Sequence, residues 1–93
     1  MLSAKEYFNI AEIERLRKLH GREIDANDNY SLHIALFDGE KLLGVTRLYK
    51  HNDGVMLELP LLYKYDAAHE EMLFKALMLK ASNMNINNIY AQK

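Results

Sequence analysis

Cysteine is absent from the chain, and proline occurs once, at Pro60. Without cysteine there is neither a disulfide to staple a small fold nor a thiolate set to hold a metal. The four histidines are His20, His33, His51 and His69. None lies two or four residues from another, the spacings by which a strand or helix presents paired imidazoles, so no metal site is expected. No apolar run approaches the roughly 18–20 residues of a membrane-spanning helix. Residues 1–6 also lack the apolar stretch of a secretion signal. These absences predict a cytoplasmic protein that does not engage membranes. Basic charge is not concentrated either: 12 Lys and Arg are scattered among 13 Asp and Glu, for a formal net charge of −1. A protein that grips nucleic acid through phosphates carries a basic stripe, so nucleic acid is not an expected partner. The tyrosines, with few basic residues between them, are read as packing and interface residues rather than base-stacking platforms. Nucleophile elbows, Ser-x-x-Lys and phosphate-loop patterns are missing as well.

What is present suits one globular domain spanning residues 1–93, with 49% hydrophobic and 27% charged residues. A domain of this size buries only about 60–65% of its unfolded surface, which leaves a thin stability margin. Burial against a second copy would widen it, and a homodimer is expected.

Hydrophobic spacing predicts two helices and four strands. Asn9 and Glu12 have capping-box spacing ahead of a helix over 10–20, as do Ser3 and Glu6 just upstream. Ile10, Ile13, Leu16 and Leu19 form its apolar stripe, with Glu12, Glu14, Arg15, Arg17 and Lys18 facing water and Gly21 as the C-terminal cap. Residues 25–29 read as a loop. Residues 32–37 alternate as a strand, and Asp38-Gly39 is a hairpin turn into a second strand over 42–49. A turn at 52–54 leads to a third strand over 55–62, where Pro60 marks a bulge or an unpaired side. Asp66 caps a long helix over 67–81. Its apolar face is too broad to be covered on one side only. A last strand over 86–91 follows, and strand, helix and strand in succession imply a crossover that leaves it parallel to the third.

This α/β (α+β) order is an N-terminal helix, a three-strand antiparallel meander, a long crossover helix and a final parallel strand. It resembles the central part of the GNAT acetyltransferase fold, with its mixed sheet. Residues 38–48, with Gly39, Gly44 and Arg47, look like the family's second and third strands. Glu58-Leu59 looks like the start of its fourth. Ala76-Leu77 falls where the family's long helix carries the same pair, and residues 88–91 look like its fifth strand. The resemblance covers about residues 10–91 and implies a shortened member, without room for a full first strand and without the segment that usually completes the acceptor site.

The resemblance also implies where chemistry would sit. Glu58 falls at a position sometimes used as general base. Leu62 and Lys64 fall where backbone groups pair with the pantetheine arm of acetyl-CoA. The family's phosphate loop, Arg/Gln-x-x-Gly-x-Gly/Ala, aligns with residues 69–74. There His69 replaces the arginine, and Glu70, Met72 and Phe74 replace the small residues that let phosphates approach backbone N–H groups. Glu70 and Glu71 are expected to satisfy the helix start in place of a ligand. The residues themselves also allow plainer readings. Glu58 is a strand glutamate facing water or pairing with Arg47, residues 62–64 are ordinary strand, and His69 is a surface histidine. The expected function is therefore a GNAT-like domain without a competent coenzyme loop, acting by homo-association or by binding a protein partner. No cofactor is firmly implied. The alternative is an atypical N-acetyltransferase that uses acetyl-CoA on an amine.

Overall fold

In the computed structural model, which describes residues 1–22, 32–51, 54–86 and 88–91, eight elements follow one another. They are β1 (Leu2–Glu6), α1 (Ile10–Leu19), β2 (Leu32–Asp38), β3 (Lys41–His51), β4 (Gly54–Leu57), β5 (Leu61–Leu62), α2 (Ala67–Asn83) and β6 (Ile89–Ala91). The loop expected at 25–29 and the tip of the turn at 52–54 lie outside the described residues.

The strands form one sheet in the order β1-β2-β3-β4-β6, with β5 also on β3. The meander is antiparallel, and β6 runs parallel to β4, with Val55 opposite Ile89 and Leu57 opposite Ala91. The hairpin turns on Gly39 and Glu40, one residue later than the expected Asp38-Gly39, because Asp38 still pairs with Lys41 as the last residue of β2; Gly39 has φ +61°, in the left-handed region that favours glycine. Asn85 and Asn88, also left-handed, turn the chain from α2 into β6.

Alternation along the strands sorts side chains onto two faces. Ile34, Leu36, Leu48, Leu57 and Leu62 pack beneath Leu73, Leu77 and Ala81 of α2. Ala35, Val45 and Leu61 pack against Ile13 and Leu16 of α1. The sheet is thus the middle of three layers. Each fully buried leucine or isoleucine contributes about 1.5–3 kcal/mol through water exclusion.

Four further expectations are corrected. First, there is room for an N-terminal strand: β1 pairs along its whole length with β2, from Leu2 opposite Asp38 to Glu6 opposite Ile34. Ser3 and Glu6 therefore belong to a strand and cap nothing. Second, the third strand is two. The ladder of β3 with β4 ends at Leu57, and the chain returns to β3 only at Leu61 and Leu62, with Pro60 in the interruption. Third, the α1 stripe is not uniform. Ile13 and Leu16 are buried, whereas Leu19 is 63% exposed and Arg17 is 4% exposed. Three residues turn a helix about 60° short of a full circle, so a three-residue repeat drifts off the buried face by Leu19. Arg17, four residues after Ile13, stays on it. Fourth, the final strand begins at Ile89, and Ile86 instead packs against the α2 core.

Gly44 sets how close β5 lies to β3. A Cβ there would meet the Leu61 carbonyl oxygen at 2.6 Å and also the Leu62 side chain.

Candidate functional site

The interruption between β4 and β5 turns Glu58 inward, beneath α1. Its Oε1 accepts from Arg47 Nη2 at 2.6 Å and its Oε2 from Arg17 Nη1 at 2.7 Å. The backbone holds the same spot. Glu58 N–H donates to the Arg47 carbonyl at 3.2 Å, and the Glu58 carbonyl accepts from the Thr46 hydroxyl at 3.2 Å. Glu58, Arg17 and Arg47, together with His33 and Thr46, are all buried. Burial alone would raise the Glu58 pKa. The hydrogen bonds and charges of Arg47 and Arg17 outweigh it, and the carboxyl is held below its usual range. The pairing of Glu58 with Arg47 was legible in the sequence. Arg17 was missed, and its signal was the four-residue step from Ile13.

The other predicted site residues lie on the far side of β5. Leu62 is buried, opposite Gly44 in the ladder with β3. Lys64 is exposed in the turn that follows, and His69 is half-buried in the first turn of α2. Lys64 and His69 share an open groove of about 580 Å³, walled by residues 41–43 of β3, residues 63–66 of the turn, and His69 itself. Glu58 and Leu62 do not line it. Tyr63 stands in this wall, and its hydroxyl donates to Glu12 of α1 at 2.6 Å. Burial and the Glu12 carboxylate push its pKa up to about 12. Because that pKa is raised, the contact is complete below pH 10 and is lost as pH rises through about 12. An ultraviolet phenolate titration should show one tyrosine ionising near pH 12 and lose that step in Tyr63→Phe. A wild-type titration that finishes near pH 10 would contradict the contact.

The start of α2 is occupied by its own chain. Asp66 Oδ1 accepts from the N–H of Ala68 at 2.9 Å and of His69 at 3.1 Å. The hydrogen bond from the His69 N–H holds the Asp66 carboxyl below its usual pKa and outweighs the opposing desolvation. Residues 69–74 are all helical. Glu71 is therefore an exposed helix residue paired with Lys75 at 2.8 Å, and Glu70 donates its N–H to the Asp66 carbonyl. The expectation that the two glutamates satisfy the helix start is corrected in part: Asp66 takes the N–H groups, and of the pair only Glu70 lies in the first turn, where its charge suits the helix start. Removing the Asp66 cap should register: Asp66→Ala is expected to lower unfolding stability by about 1 kcal/mol, and Asp66→Ser to restore most of that in urea titrations. Equal midpoints for all three proteins would count against the cap.

No family model matches this sequence, and no curated protein matches it. Solved structures do. A GNAT-family acetyltransferase from Streptococcus pneumoniae superposes with a TM-score of 0.73 at 16% identity, over 100% of this chain and 76% of the other. A ribosomal-protein-alanine N-acetyltransferase from Brucella melitensis gives 0.71 at 10% identity, over 99% and 80%. The chain has the GNAT fold. An aminoglycoside N-acetyltransferase in complex with CoA gives 0.74 at 10% identity, over 100% and 77%.

The parallel pair of β4 and β6 ends at Leu57 and Ala91. Beyond it, β5 pairs with β3 on one side and with nothing on the other among the described residues. No helix among the described residues is long and apolar enough to cross a membrane, and no cluster of three or more metal-ligating side chains occurs among them.

Proposed function

We propose that this GNAT-fold domain acts by associating with a second copy of itself and does not hold acetyl-CoA by a phosphate loop. The observation that carries this reading is the Asp66 carboxylate on the N–H groups of Ala68 and His69. Those donors are the ones a helix start offers to an anion. The turn before them, residues 63–66, contains no glycine, and its acid, Asp66, repels a diphosphate brought onto those two N–H groups. Unlike charges at about 4 Å attract, and like charges there repel, by on the order of 4 kcal/mol at an effective dielectric near 20.

Association is supported by what the fold leaves uncovered. Leu73, Leu77 and Ala81 face the sheet, but Phe74 is 44% exposed and Leu79 65% exposed on the same helix. Among the described residues, β1 and β6 are sheet edges, with backbone groups able to pair with another strand. Sedimentation equilibrium at micromolar concentration should give a dimer, and thermal stability should not rise with millimolar acetyl-CoA. A coenzyme at 100 times its Kd would add about 2.7 kcal/mol. A strict monomer, or saturable stabilisation by the coenzyme, overturns the reading.

A second reading is supported by the three solved neighbours described above, each of them an acetyltransferase. In it, acetyl-CoA lies along the backbone at Leu62 and Lys64, His69 meets its phosphates and Glu58 takes the proton of an acceptor amine. A general base works best with a pKa near the operating pH. The two arginines hold Glu58 the other way, which favours the first reading.

A further inference from the structure

The groove beside β5 combines features that neither the sheet nor the helix requires. Its positive charge comes from two separate elements, Lys41 at the start of β3 and Lys64 in the turn before α2. Both lysines are exposed, and neither enters an ion pair among the described residues. Of the acids that act on them, Asp38 is paired with the Met1 amine at 2.9 Å, and Asp66, which lines the groove and keeps its charge, is turned onto the N–H groups at the start of α2. The groove is also lined by half-buried Leu43, which packs on the α2 side of the sheet, by half-buried Leu42, which packs on the α1 side, and by Tyr65, which is 70% exposed. Tyr63 is tied to Glu12, so that wall is fixed before any ligand arrives. A volume near 580 Å³ lies within the roughly 300–1,000 Å³ of small-molecule sites.

We propose that this groove binds a small molecule that joins one anionic group to a flat apolar body. The anion sits between Lys41 and Lys64, and the His69 imidazole offers a further polar contact. The body lies on Leu43, on the α2 side of the sheet with His69, and on the ring of Tyr65. Lysine ammonium groups are compact point charges, suited to a single carboxylate or phosphate monoester. A diphosphate gains nothing further here, because the backbone donors of α2 are closed by Asp66.

The test is an amide NMR titration of the intact chain with benzoate, phenyl phosphate, benzamide and inorganic phosphate. Saturable shifts confined to residues 41–43, 63–66 and 69 are expected with benzoate or phenyl phosphate. Their order of affinity assigns the anion as carboxylate or phosphomonoester. Benzamide, which lacks the charge, and inorganic phosphate, which lacks the body, should each bind at least about threefold more weakly. Lys41→Gln and Lys64→Gln should each weaken the better probe about two- to fivefold, the scale of exposed charge contacts. Scattered or absent shifts, benzamide binding as well as benzoate, or unchanged affinity in both variants would overturn the site. The comparison of probes on the wild-type chain stands even if a variant folds poorly.

Discussion

Replacing Glu58 by leucine is expected to cost about 3–5 kcal/mol of folding stability, because it removes the carboxylate shared by two buried guanidinium groups. A chain of 93 residues at roughly 0.05–0.15 kcal/mol per residue has a total of about 5–14 kcal/mol. The variant should therefore lose much of its urea resistance, read as a lower midpoint at unchanged slope. The charge, and not the bulk of the side chain, carries the effect. Replacing Arg17 and Arg47 by methionine together with Glu58→Leu should recover part of the loss, since an apolar set can fill a buried ionic one. The acid limb of the pH–stability curve gives an independent sign. The Glu58 pKa is depressed in the folded state from an ordinary value of 4.5. Its contribution is complete above that value and is lost as pH falls through the lower, folded one. Glu58→Gln should flatten this limb. A Glu58→Leu protein as stable as wild type would mean that the three charges are not a buried unit.

The second large effect is expected at Gly44. Its Cα faces β5 so closely that a methyl group would strike the Leu61 carbonyl oxygen and the Leu62 side chain. The first of these is backbone in a paired strand and cannot step aside. Gly44→Ala should cost about 1–3 kcal/mol, the usual range for overpacking, and Gly44→Val more than that. Because β5 carries the chain toward Tyr63 and Lys64, the displacement should also reach the groove. Gly39 provides the contrast. Nothing lies within 4 Å of a Cβ there, and the requirement is only its φ of +61°. Asparagine is among the few residues that visit that region, so Gly39→Asn should cost less than Gly44→Val. If Gly44→Val and Gly39→Asn unfold at the same urea concentration, the close approach of the two strands is not real.

These two positions differ in how far they could be read beforehand. Gly44 stood out by resemblance, as a glycine followed by an arginine in a strand. The reason for it, the return of the chain to β3 at Leu61, depends on the break at 58–60. Proline announced that break without saying where the strand would resume. The hairpin, to within one residue, and the caps Asn9 and Asp66 were legible because turns and caps are local chemistry, specified by residues two or three apart. β1 was not. Leu2, Ser3, Ala4 and Lys5 are all exposed, and an edge strand held by its backbone ladder leaves little hydrophobic pattern. Arg17 was assigned to water because charge usually means exposure. Its partner lies 41 residues away, and a pairing of that kind has no local signature. The groove was half legible. Lys64 and His69 were singled out by resemblance, but Lys41 joins them only through the hairpin that brings the start of β3 back beside β5. Residues 69–74 were aligned with a loop and are helical, because Asp66 starts α2 before them.

The start of α2 is where the account is tested most directly, by a crystal structure of the chain soaked in acetyl-CoA. The expected density shows Asp66 still accepting from Ala68 and His69, with no diphosphate on that helix turn. A coenzyme diphosphate seated on those two N–H groups, with the Asp66 carboxylate swung away, would contradict it.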